Sequence, residues 1–154
     1  MIDQKKYLTP GIAMYLLASE FIGLTEIPGE QNNPQILTFF QDIGHSWVQA
    51  DSVAWCGALM NWVALKCGCE RSYKLDARSW LDIGIPIEKP ELGDLVIFWR
   101  ESIKSWKGHV GLWSGQSKKS TFSLGGNQRN QVNVSPYPTL KVLGYRRIPY
   151  LIAA

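Results

Sequence analysis

Apolar positions recur at helical spacing through the first half of the chain and in short strand-like runs through the second. Ile12, Tyr15, Leu16 and Phe21 predict a first helix, opened by Thr9-Pro10 as an N-cap with proline behind it and ending near Gly23. Residues 24–34 are so dense in turn formers that a loop is expected. Ile36, Leu37, Phe39, Phe40 and Ile43 mark a second helix, stopped at Gly44. After a connector, Leu59, Trp62, Val63 and Leu65 form an apolar stripe. They predict a third helix that begins at about Cys56 and ends near Cys67, with Gly68 as its C-cap. Asp76 to Leu81 reads as a short helix, and Gly84-Ile85-Pro86 as a break.

Beyond Leu92 the period changes. Gly93-Asp94 is a turn feeding a buried strand that runs to Trp99. A polar loop, 102–108, leads to a second strand at 109–113. A turn at 115–119, strands at 121–124, 132–134 and 142–147, and Gly125-Gly126-Asn127-Gln128 after the third strand complete the pattern. Helices followed by short antiparallel strands predict an α+β fold, one domain over residues 1–154, with the N-terminal helices packed on one face of a C-terminal antiparallel sheet.

Composition narrows the function classes. Lys and Arg exceed Asp and Glu by only three, and they are scattered, so no stripe predicts a nucleic-acid partner. A mild positive charge suits an anionic polymer such as a cell wall. Met1-Ile-Asp-Gln-Lys-Lys is polar with no apolar stretch behind it, and no run is long enough to span a bilayer. Neither a signal peptide nor membrane insertion is therefore expected. Three cysteines, an odd number, fit synthesis in a reducing cytoplasm. The chain holds no metal-binding motif and no P-loop, so no cofactor or metal is expected.

Cys56 is the sharpest chemical signal. Polar residues lead into it and a helix follows at once, so free backbone N–H groups and the positive end of the helix dipole should favour a thiolate. The same N–H groups can hold an oxyanion beside the sulfur. Only two histidines exist. His109 opens a strand after a polar loop and is the expected base, whereas His45 lies in a connector. Asn127, at the end of the neighbouring strand, is the expected partner that orients the imidazole, with Gln128 the alternative. Gln49 and Asp51 are candidates to shape the pocket or donate to the oxyanion. Trp47, Trp55 and Trp106 flank the site in sequence and are candidates to line a groove; Trp62, Trp99 and Trp113 are assigned to the core. Glu26 and Glu30 give no acid pair.

Seven motifs stand in order along nearly the whole chain: PGEQNNP (28–34), WCGALMNW (55–62), ARSWL (77–81), PELGDLV (90–96), GHVG (108–111), LGGNQ (124–128) and LGYR (143–146). Together they resemble a bacterial and phage family in the papain-like NlpC/CHAP superfamily of cell-wall cysteine peptidases and amidases. The resemblance implies a papain-like core, Cys56 as nucleophile, His109 as base and a polar third residue, most simply Asn127. It implies an amide bond in peptidoglycan peptides as substrate. Such proteins include phage lysis enzymes, released through a holin, and related folds serve as toxins delivered into rival bacteria, where an immunity protein would be the partner. The expected state is a monomer. The Cys-Ser pair and second triad histidine of many relatives are absent. Two other classes fit the same fold: a non-catalytic wall-binding or structural phage module, and a protein deamidase or transglutaminase-like toxin.

Overall fold

A computed structural model describes residues 8–29 and 31–152; Met1–Lys6 and Glu30, read above from the sequence, lie outside the described residues. Helix α1 spans Pro10–Ser19, α2 Pro34–Asp42 and α3 Cys56–Lys66. Thr9 Oγ1 accepts from the Ile12 N–H and Asn33 Oδ1 from the Gln35 N–H, so each of the first two helices starts on a side-chain cap followed by proline. Gly23, Gly44 and Gly68 follow the helices at positive φ, as their predicted stops require.

Helix α3 sets the architecture. Every residue from Cys56 to Ala64 is buried, so it is a core helix and not the amphipathic one its stripe predicts. The reason is that it is covered on all sides. Phe39 of α2 and Phe21 pack at 5.0 and 5.3 Å from Trp62, and the sheet covers another side. Across its first turn runs the 72–75 segment. The Leu75 carbonyl comes so close to Gly57 that a Cβ there would lie 2.2 Å from it. Buried Asn61 fastens this crossing: Nδ2 donates to the carbonyls of Gly57 and Lys74, and Oδ1 accepts from the Tyr73 N–H.

Ala77–Asp82 forms a 3-10 helix. The strands are β1 Ile85–Ile87, β2 Leu95–Trp99, β3 Gly108–Gln116, β4 Ser120–Gly125, β5 Asn133–Pro138 and β6 Val142–Arg147. They make one antiparallel sheet in the order β1-β6-β2-β3-β4-β5. The fold is α+β. Strand β1 corrects the expected break at 84–86: Pro86 lacks an N–H but sits on an edge strand, where a missing donor is tolerated. Strand β5 runs past the expected 132–134 for the same reason, with Pro136 and Pro138 on the opposite edge. Strand β3 extends through Gly115, where a bulge absorbs the residue assigned to a turn.

Alternation along the strands assigns the two sheet faces. Leu95, Ile97, Val110, Leu112 and Leu124 join the core formed with the helices. Phe98 and His109, paired across β2 and β3, take the other face. The sheet rolls on that face: Tyr137 of β5 brings its ring to 4.6 Å from Phe98 and 4.9 Å from His109. A second bulge between Ile97 and Phe98 adds twist at this point. Arg147 of β6 donates twice to the buried Asp94 carboxylate at 3.0 and 2.9 Å, which locks the turn before β2. Among the described residues no helix is long and apolar enough to cross a membrane.

Candidate active site

Cys56 is the first residue of α3, and Trp55 caps the helix without a side-chain hydrogen bond. The indole of Trp55 is fully buried. Its Nε1–H donates to Glu26 Oε1 at 2.8 Å and its ring stacks on Phe39. Cys56 is therefore carried on a rigid base. The backbone N–H groups of Cys56, Gly57 and Val110 act on its sulfur, the last belonging to the residue after His109. Pairing of β3 with β4 begins at Leu112, so Val110 runs past the partner strand and faces the helix start instead. The thiol is 6% exposed, and burial raises its pKa above the usual cysteine range; the three N–H groups and the Arg100 charge oppose that rise but do not cancel it. The thiolate expected from the helix end is thus outweighed by desolvation, and the resting group is a neutral thiol.

His109 is buried too, 4% exposed, with the Tyr137 ring stacked 4.9 Å from it and the Phe98 ring 6.2 Å away. Its Nε2 lies 2.8 Å from Gln128 Oε1. The Gln128 amide can point only one way. Its nitrogen donates to the backbone carbonyls of Ser123 and Asn133 at 3.1 and 2.7 Å, and both accept only. Its oxygen must therefore accept from His109 Nε2–H, which leaves Nδ1 as the basic nitrogen. Burial lowers the imidazole pKa to about 4; the bond to Gln128 raises it by less, and the Arg100 charge lowers it further. At neutral pH the ring is uncharged and able to accept a proton.

The third position is a correction. Gln128, not Asn127, holds His109; Asn127 sits at φ +56° in the turn after β4 and makes no hydrogen bond to the ring. The glycines before it have a steric role that the turn reading missed. A Cβ on Gly125 would lie 2.8 Å from Gln128 Oε1 and 3.4 Å from His109 Nε2, and one on Gly126 would lie 2.4 Å from the Trp55 ring. The segment threads between the His109–Gln128 pair and the base that carries Cys56.

Other candidates fall elsewhere. Trp55 is core and not groove, while Trp99, assigned to the core, lines the groove beside His109. Asp51 is buried and accepts from the Ile27 and Asn33 N–H groups at 2.9 and 2.7 Å, so it closes the 27–33 loop. Gln49 is exposed and its carbonyl accepts from Asn32. Trp106 and Trp47 are exposed and neither is among the residues lining the groove; the Trp47 indole donates to His45. Tyr137 and Arg100 were not singled out by the sequence. Neither lies in a motif, and only the roll of the sheet brings Tyr137 onto His109. Arg78 was quoted only within a motif. Its guanidinium donates to the carbonyls of Ser102, Ile103 and Lys107, fastening the loop that delivers His109.

Among the described residues no group of three His, Cys, Asp or Glu side chains gathers as a metal site, and none of the three cysteines is in a disulfide. The arrangement brings together a buried thiol at a helix start, an uncharged imidazole oriented by an amide, and backbone donors around the sulfur. The chain matches no protein-family model and no curated protein.

Proposed function

We propose that this chain is a papain-like cysteine hydrolase that cleaves an amide bond in the peptide part of peptidoglycan. The observation that carries the chemistry is the His109–Gln128 bond, which assigns the imidazole's protons and leaves Nδ1 free on the residue next to the Cys56 sulfur's own N–H donor. The substrate class rests on the ordered motifs that resemble cell-wall peptidases.

In this reading His109 Nδ1 takes the thiol proton as the Cys56 sulfur attacks the carbonyl carbon. The pair is neutral at rest, so the thiolate forms during attack and is not stored. Backbone N–H groups at the start of α3 receive the oxyanion. Gln128 accepts from Nε2–H and stabilises the transient imidazolium. His109 then passes its proton to the leaving amine, the carbon–nitrogen bond breaks, and a thioester remains. Water enters, loses a proton to Nδ1 and releases the acid, and the proton returns to the sulfur.

The test is mass spectrometry of soluble products from purified sacculi treated with wild type and with Cys56→Ala. Fragments from wild type alone, with masses that identify the cut bond, are expected. Fragments from both proteins, or from neither, overturn the proposal. One observation favours a second reading: burial keeps both Cys56 and His109 uncharged, as in a wall-binding module without turnover. That reading expects Cys56 to resist iodoacetamide in the folded protein while the protein still sediments with sacculi.

A further inference from the structure

The groove over His109 has a volume of about 490 Å³ and a marked charge bias. Arg100, Arg129 and Lys141 line it, together with Trp99 and Tyr137, and none of the residues that line it is acidic. Among the described residues neither Arg100 nor Arg129 makes a side-chain ion pair. The acid nearest in sequence, Glu101, is paired with Lys107 at 2.7 Å, although its carboxyl also feels the Arg100 charge. Lys141 is held in place by its ammonium, 4.9 Å from the centre of the Trp99 ring. The three cations come from three separate places: the end of β2, the turn after β4 and the crossover before β6. Only the rolled sheet gathers them at one opening.

Gathering three cations at one groove over His109, two of them without an ion pair, concentrates positive charge there. Like charges repel, and the Arg100 charge works against protonation of His109, the form the base must pass through. An anion bound in the groove would offset both effects. We infer that the groove selects peptides bearing a carboxylate close to the scissile amide, read by Arg100, Arg129 and Lys141 against the flat rings of Trp99 and Tyr137. The inference deepens the hydrolase reading by naming its substrate class, but its binding step does not depend on turnover. Arg129 and Arg100 are exposed, so each contributes modestly. The expected gain is about two- to threefold per cation and roughly tenfold for the three together.

The experiment is calorimetric titration of Cys56→Ala protein with two versions of one stem-type peptide, its carboxylates free or all amidated. The free peptide is expected to bind roughly tenfold tighter at low salt, with the advantage shrinking in about 0.5 M sodium chloride. Arg100→Gln, Arg129→Gln and Lys141→Gln combined should make the two peptides bind alike. Equal binding of the two, binding of neither, or a preference that survives the triple neutralisation overturns the inference. Turnover separates it from the hydrolase reading. If wild type cuts both peptides with equal kcat/KM, the hydrolase stands and the carboxylate preference falls. If the anionic peptide binds selectively and is never cut, the preference stands and the hydrolase falls.

Discussion

Acidification should weaken this fold through His109 in a way that can be isolated. The imidazole is 4% exposed and its pKa lies at about 4, against an ordinary 6.5. A base with a depressed folded-state pKa is charged more readily in the unfolded chain. Between pH 6.5 and 4 the unfolded state therefore binds a proton that the folded state refuses, and stability falls as pH falls through that window. Above 6.5 the group contributes no pH dependence, and below 4 its contribution is flat. Integrating from pH 7 to about pH 4.5 gives a loss of roughly 2 kcal/mol from this one ring. Other groups bind protons over the same range, so wild type alone does not isolate the effect. The assay is denaturant unfolding, followed by tryptophan fluorescence, of wild type and His109→Gln at both pH values. Shared titrations cancel in the double difference, which should be roughly 2 kcal/mol, with wild type the more acid-sensitive. The same proton disables the base, so kcat/KM should hold down to about pH 5 and fall as pH passes about 4. Equal acid sensitivity of the two proteins, within about 0.5 kcal/mol, would refute the claim that His109 is buried in its neutral form.

Two further substitutions test the geometry. Gly126→Ala would place its Cβ 2.4 Å from the fully buried Trp55 ring, which has no space to move, and should cost about 1–3 kcal/mol in chemical denaturation; a stability within 0.5 kcal/mol of wild type would contradict the close approach. Gln128→Ala should lower kcat about 10- to 100-fold, part of the 10²–10⁴-fold that a positioned base supplies. Asn127→Gly, which spares the positive φ, should cost far less, and steady-state kinetics giving the reverse order would return the orienting role to Asn127.

Much of the fold was legible because it is written in local chemistry. Thr9-Pro10 starts a helix through a capping oxygen and a missing N–H, and Gly23, Gly44 and Gly68 follow the helices at positive φ; Asn33-Pro34 starts α2 in the same way although the sequence reads it as loop. These signals act within a few residues and survive any tertiary context. What failed depended on distant chain. The stripe on α3 gave no hint that the 72–75 segment would cover its outer face, because that cover depends on Gly57 admitting a carbonyl and on Asn61 bonding across ten or more residues. Pro86 read as part of a break because nothing in the sequence says that its strand is an edge.

The site divides along the same line. The positions of Cys56 and His109 were legible because a helix start and a strand start are local features. The protonation expected for Cys56 was not, because burial is a property of the whole fold and here exceeds the field of the helix end. The choice between Asn127 and Gln128 turned on the path of one turn. Asn127, Arg129 and Asn130 all take positive φ, and this folds the turn back so that the Gln128 N–H donates to the Gln131 carbonyl while Asn133 Nδ2 donates to the Gln128 carbonyl. The Gln128 side chain is thereby aimed under β4, where three of its hydrogen bonds go to Ser123 and Asn133 before the fourth reaches His109. Asn127 is placed at the groove and not beneath it. Adjacency of the strand ends brings the 124–128 motif to His109. Which amide faces the ring was decided by backbone handedness, and residue spacing does not encode that.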